Sequence, residues 1–310
     1  MKTVTLSCWE HFRCIADQCR HSCCVGWEID VDEYALRRYA TVEGEFGQRL
    51  RQSIAVGDEG AFFALQGDEE RCPFLNEQGL CDMILTLGED WLCDICTDHP
   101  RYRNYFSYRE ELGFGLCCEE AARELLTFPG KLELTVTEDD GVDEEPTEWE
   151  RELLAVREEL FALAQDRTKA VYARSEALLC HVGAVLPERT WAEWSSFFRG
   201  LERLDGEWDR ELTALAGAPT GEQPLPMPEL PLEQLLIELF YRHLAGAENP
   251  AELRERCAFA VLSFRLIYAL CAARESCTVE ELTELARLFS GEIEYSDENL
   301  PVLLTVLEQE

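Results

Sequence analysis

Lysine is nearly missing from this chain: Lys2, Lys131 and Lys169 are the only three in 310 residues. Basic residues are scarce altogether, 28 against 62 acidic, for a formal net charge of −34. Phosphate binding needs clustered Lys and Arg, so nucleic acid is not an expected partner. The same charge disfavours an anionic membrane surface. Long apolar runs are missing too. The longest, Cys257–Ala273, has 17 residues and carries Arg265 near its middle. A buried amphipathic helix suits it better than a lipid-facing span. Met1–Cys14 lacks the apolar stretch of a secretory leader, and the cytoplasm is the expected location.

Several catalytic signatures are also absent. Gly113-Phe114-Gly115 lacks the third glycine of a dinucleotide-binding loop, so a Rossmann-type site is not supported. Cys19 and Cys23 are followed by Gly26 where the third cysteine of a radical S-adenosylmethionine motif would stand. Neither a zincin helix nor a nucleophile elbow occurs.

What the chain has is cysteine. Of fifteen, eleven fall in the first 118 residues. Cys180, Cys257, Cys271 and Cys277 lie in apolar helical sequence and read as small core residues. The front group reads as metal or redox chemistry, because a disulfide scaffold belongs to short exported chains. Cys93-Asp94-Ile95-Cys96 lets one tight turn offer two sulfurs to one metal. Cys14-x4-Cys19-x3-Cys23-Cys24, Cys72-x8-Cys81 and Cys117-Cys118 add further donors. A structural zinc or an iron–sulfur cluster needs four ligands, so the set allows two sites, or one site with spare thiols. The bland alternative is a group of buried free thiols.

The expected fold is mainly α: a cysteine-rich, irregular α+β metal-binding part over 1–137, followed by an α-helical part over 138–310. An acidic boundary at 138–146 separates the two, and a proline-rich, extended connector spans 216–231. Trp27–Val31 alternates like a strand, and Asp32 is placed to cap a helix through Tyr39. Cys72–Cys81 reads as a hairpin turning at Asn76–Gly79, Cys117–Leu126 as a helix, and Lys131–Thr137 as a strand. Helices are expected at 147–166, 169–186, 190–204, 232–245, 250–274, 279–290 and 298–309, with Thr278 and Glu281 forming a capping box.

Four blocks in order, Phe12–Val31, Arg71–Asp82, Leu87–Arg101 and Leu116–Ala122, resemble the flagellin lysine N-methylases, a group within the zinc- or iron-chelating cysteine-cluster proteins. Leu239–Leu244 is a weaker match. The resemblance covers about the first 125 residues. It implies methyl transfer from S-adenosylmethionine to lysines of flagellin with a [4Fe–4S] cluster involved, zinc being the alternative metal. The matching cysteines are Cys14, Cys19, Cys23, Cys24, Cys72, Cys81, Cys93, Cys96 and Cys118. Cys117 stands where the family has Ser and Glu119 where it has Pro, so Cys117 is not counted as a ligand.

Arg101–Arg109 gathers three Arg and four aromatics in an acidic chain. Arg101 or Arg103 could hold the carboxylate of S-adenosylmethionine; the competing reading is a helix with a solvated Arg face and an aromatic core stripe. His99 reads as a structural histidine. Two functions stay open: a protein-lysine N-methyltransferase, and a non-catalytic metal or cluster module that staples a loose N-terminal half.

Overall fold

The computed structural model of the chain describes every residue except 59, 142–143, 275 and 309–310. Two of the expected boundary residues, and the last of the expected helix 298–309, therefore lie outside the described residues. Strand β1 (Lys2–Leu6) opens the chain. Residues Arg13–Arg101 then form a smaller compact unit, and Met1–Phe12 joins residues 102–310 in a larger one.

The smaller unit runs β2 (Asp30–Val31), α1 (Glu33–Tyr39), α2 (Gly44–Gln52), β3 (Ile54–Val56), β4 (Ala61–Phe63), α3 (Asp82–Leu87) and α4 (Asp94–Asp98). Its antiparallel sheet has the order β2-β4-β3, with Val31 opposite Ala61 and Ile54 opposite Phe63. The expected strand at Trp27–Val31 is cut to its last two residues, because Gly26 takes a positive φ of 73° and turns the chain first. Asp32 does cap α1, accepting from the Ala35 N–H at 2.8 Å. The turn at Asn76–Gly79 is present: Asn76 Oδ1 accepts from the Gln78 and Leu80 N–H groups, and the Asn76 N–H donates to the Leu80 carbonyl. Phe63 and Phe74 meet edge to face at 5.0 Å in a core shared with Tyr39, Leu50 and Met83.

The larger unit continues with β5 (Arg101–Tyr105), β6 (Arg109–Phe114), α5 (Glu119–Thr127) and β7 (Leu134–Asp139). Helices α6 (Glu148–Ala164), α7 (Val171–Val182), α8 (Trp191–Phe198), α9 (Trp208–Ala216), α10 (Leu230–Leu244), α11 (Pro250–Ala272) and α12 (Val279–Phe289) follow, then a π-helical turn, Ser290–Glu294, and α13 (Asn299–Val306). The mixed sheet has the order β5-β6-β1-β7, with β1 parallel to β6 and antiparallel to β7. The protein is thus mainly α with small sheets. Arg101–Arg109 is not the helix of the competing reading; it forms β5, a turn and the start of β6, as its alternating aromatics favour. The acidic stretch 138–146 and the proline-rich connector both lie inside the larger unit. The first begins on β7, which is paired with β1; the second is fastened by the Tyr268 hydroxyl to the backbone of Gln223. Among the described residues no helix is long and apolar enough to cross a membrane.

Helix α10 is buried on nearly every side, which makes it the axis of the larger unit. Its polar groups are therefore answered inside the fold. Glu233 accepts from Arg174 at 2.7 Å and Arg167 at 2.8 Å. The Tyr241 hydroxyl reaches the Val4 and Leu112 carbonyls, each at 3.1 Å, and so fastens α10 to β1 and β6. Beside it Arg157 holds the buried Glu111 of β6 through both guanidinium arms, at 2.6 and 2.5 Å. Tyr102 donates to Glu238 Oε1 at 2.6 Å. That approach requires Gly113: a Cβ there would lie 2.1 Å from the Tyr102 ring. Among the described residues Glu238 Oε2 and Arg242 Nη1 have no hydrogen-bond partner.

Burial pushes the Glu238 carboxyl up to about 8, against the hydrogen bond from Tyr102 and the charge of Arg242. The folded state then binds a proton that the unfolded chain releases near 4.5. The stabilisation from this group is complete below 4.5 and declines as pH rises to about 8. Glu238→Gln should flatten the fall in stability across that window, read from urea denaturation midpoints at several pH values. An unaltered pH slope in the variant would count against this assignment.

Candidate metal centre

The cysteines of the smaller unit are brought together by backbone pairing. Val25 bridges Arg71, and the Cys72 N–H donates to the Cys24 carbonyl at 2.8 Å. This lays the Cys23-Cys24 segment against Cys72. The Cys72–Cys81 loop is then closed by the Leu75–Cys81 bridge and by Asp82 N–H donating to the Phe74 carbonyl at 2.8 Å. Cys81 sits at the N-cap of α3 and Cys93 at that of α4. At both positions the sulfur lies beside the start of a helix, where the backbone N–H groups of the first turn favour the thiolate, against burial.

The thiols fall into two hydrogen-bonded sets. Cys23 and Cys72 both donate to the Cys24 sulfur, which outweighs burial and draws Cys24 down to about 3. Cys72 moves the other way, because its bond to Cys24 and its burial both favour the protonated thiol. The second set repeats the pattern: the bond from Cys96 lowers Cys93 against burial, and the same bond raises Cys96. The charge of Cys24 is felt at Cys72, Cys81 and Cys96. It also acts on His99, which burial lowers against that charge. One thiolate in each set, Cys24 and Cys93, is thereby favoured, and the thiolate is the form that ligates a thiophilic metal.

The remaining candidates stand differently. Cys14 is exposed, and its sulfur accepts from the Ala16 N–H at 3.4 Å. The Cys19 thiol donates to the His21 carbonyl at 3.3 Å. Cys118 belongs to the larger unit, where it is the N-cap of α5 and packs with Phe12, Phe114 and Ala121. Buried Cys117 is pushed up to about 12 by its surroundings, burial first. Arg101 donates to the Thr97 carbonyl at 3.2 Å, and Arg103 pairs with Glu110 at 3.4 Å.

Among the described residues no three Cys, His, Asp or Glu side chains stand at ligand spacing. The fit to a metal therefore rests on donor chemistry. Clustered soft thiolates suit zinc or an iron–sulfur cluster and exclude a hard-cation site. Asp32 has a role that sequence reading missed. While Oδ1 caps α1, Oδ2 accepts from the Asp94 N–H at 2.9 Å, next to Cys93. Its carboxyl is lowered because these backbone bonds outweigh burial. The capping pattern was visible in sequence, but a bond 62 residues away carries no local signal.

No protein-family model matches the chain, and no solved structure matches it. Three curated proteins do. A lysine-N-methylase of Salmonella choleraesuis (strain SC-B67) is 25% identical over 130 residues, 40% of this chain and 32% of that protein. The flagellar biosynthetic protein FliU of Salmonella muenchen is 25% identical over 129 residues, 40% of this chain and 76% of FliU. A lysine-N-methylase of Salmonella typhimurium is 25% identical over 129 residues, again 32% of its length. The chain is thus distantly related to the lysine N-methylases, and spans about a third of their length.

Changing Cys93 or Cys96 to Ala should lower the melting temperature and the metal content together. Cys257→Ala, which removes only a buried thiol in α11, should leave the metal content intact. Ligated metal contributes on the order of 10 kcal/mol to folding in zinc-binding peptides. Melting curves paired with metal analysis decide the matter; equal, mild effects at all three positions would remove these cysteines from the ligand set.

Proposed function

We propose that this protein is a protein-lysine N-methyltransferase that moves the methyl group of S-adenosylmethionine to lysines of flagellin in the cytoplasm, with a [4Fe–4S] cluster held by its cysteines. The observation that carries the reading is the distant relationship to lysine-N-methylases, one matched protein being named for flagellar biosynthesis. The two thiol sets of the smaller unit support the metal part. Cys23, Cys24, Cys72, Cys81, Cys93 and Cys96 are the residues that would hold the group, with Cys14, Cys19 and Cys118 as further donors implied by the family resemblance. When bound, the cluster supplies a rigid anchor of thiolate-ligated iron.

The reaction itself needs no oxidant. The lone pair of a neutral lysine amine attacks the sulfonium methyl in line. The carbon–nitrogen bond forms as the carbon–sulfur bond breaks, and S-adenosylhomocysteine leaves with the electron pair. The ammonium product then loses a proton to restore a basic amine. The chain contributes carboxylates that favour approach of a cationic substrate, and Arg101 and Arg103 as partners for the cofactor carboxylate.

A second reading, a non-catalytic metal module, is favoured by one observation: Cys72 and Cys93 are themselves part of the smaller unit's core beside Phe74 and Met83. Anaerobic purification followed by iron, sulfide and zinc analysis separates the two, together with transfer of labelled methyl groups to purified flagellin. The expected result is roughly four irons per chain, label on flagellin lysines, and no label on DNA or RNA. Arg101→Ala should raise the cofactor dissociation constant roughly tenfold, the equivalent of losing a charge-assisted pair. A protein with its full metal complement that neither binds the cofactor nor labels flagellin would leave the metal module as the function.

A further inference from the structure

An open groove of about 650 Å³ crosses the smaller unit where β2, α1, the β3–β4 pair and α4 meet. Its apolar lining comes from Val31, Leu36, Val56 and Ile95. Two of these are held out in solvent: Val56 is 81% exposed and Ile95 44%. Exposed aliphatic side chains gathered in one concavity are a recognition feature rather than a folding one. The charged lining is of a single sign, from Asp30, Asp32, Glu33 and Asp94, and no basic residue lines the groove among the described residues. Asp32 is fastened by two backbone N–H groups, and Glu33 has a wide, solvent-exposed contact with Arg37 at 4.0 Å.

We propose that this groove seats a lysine side chain of a partner protein, its aliphatic stem over Val56 and Ile95 and its ammonium among the carboxylates of Asp30, Glu33 and Asp94. The occupant follows from complementarity. A lysine is the side chain that pairs a four-carbon apolar stem with a compact cation, and this lining holds both an apolar and an anionic contact. A plain cation has no use for the exposed aliphatics, and an apolar peptide has none for the carboxylates. Asp94 and Ile95 are also the two residues between Cys93 and Cys96, so the groove wall is built from the cysteine turn itself. The assignment rests on the lysine-methyltransferase reading, to which it adds the place where substrate binds.

The test uses the full, metal-loaded chain and a labelled Ser-Gly peptide carrying three lysines, with partner peptides carrying norleucine or arginine at the same positions. Fluorescence anisotropy should show the lysine peptide bound, the norleucine peptide weaker by roughly tenfold or more, and binding that declines with salt. Asp30→Asn with Glu33→Gln, and separately Val56→Ser with Ile95→Ser, should each weaken the lysine peptide roughly tenfold. Metal content and circular dichroism identify any variant that has lost its fold, and the other variant then carries the test. Equal affinity for the lysine and norleucine peptides, or affinity indifferent to both variants, overturns the groove. So does equal binding of arginine and lysine peptides that ignores Val56→Ser with Ile95→Ser, which would mark a general acidic surface. Methyl transfer to flagellin with unchanged KM in both variants would reject the groove and keep the methyltransferase. Groove-dependent peptide binding without methyl transfer would do the reverse.

Discussion

Cys72 is tied to Cys24 twice, once through the backbone at 2.8 Å and once through the thiols. The smaller unit depends on that double tie. One side of it leads to the irregular segment from Arg13 to Gly26; the other leads through Phe74 to the aromatic core and, through the closed loop, to Cys81 and α3. The unit's strands are only two or three residues long, too short to define a fold by themselves. Cys24 and Cys72 therefore do structural work at atoms that are also proposed to hold a metal, and mutation at either position touches both roles.

The larger unit solves a different problem. Its central helix is buried, yet carries Glu233, Gln234, Glu238 and His243. Each finds a partner on another element: arginines from the α6–α7 region, the Phe128 and Gly130 carbonyls, Tyr102, and Glu294 of the π-helical turn. Such contacts specify how the helix is rotated, since an apolar helix could turn without penalty. Gln234, Glu238 and Arg242 of the helix, and Glu294 beside it, each retain one unanswered atom among the described residues, where this core departs from full satisfaction.

Sequence reading performed best where a local rule applied. Asp32, Thr278 and the Asn76 turn were legible because a cap or turn is decided within four residues. Six of the seven helices expected in the second half match observed helices closely in place; that at 190–204 stops at Phe198, short of Gly200. Helix α9 was missed although Trp208, Leu212 and Leu215 show its spacing; at nine residues between Gly206 and Gly217 it offers little more than two turns of periodicity. Strands β1 and β6 were missed for a deeper reason: they pair across more than 100 residues, and no local pattern announces such a partner. The Cys93–Cys96 pair was legible in its C-x2-C spacing, but the meeting of Cys23-Cys24 with Cys72 depended on backbone pairing that spacing does not encode. The groove was illegible for the same reason, since its walls come from four separated segments.

The parallel pairing of β1 with β6 makes residues 13–101 an insertion: the chain leaves the larger unit after Phe12 and re-enters it at Tyr102. During synthesis β1 emerges well before β6 and β7, its partners in the sheet. Closing a loop of about 100 residues costs on the order of 4 kcal/mol in chain entropy. A smaller unit that folds first shortens the free chain to be closed, so whatever folds residues 13–101 also hastens completion of the larger sheet. A chain whose residues 13–101 fold late would present an unpaired β1 edge for longer, a ready substrate for proteases and for aggregation.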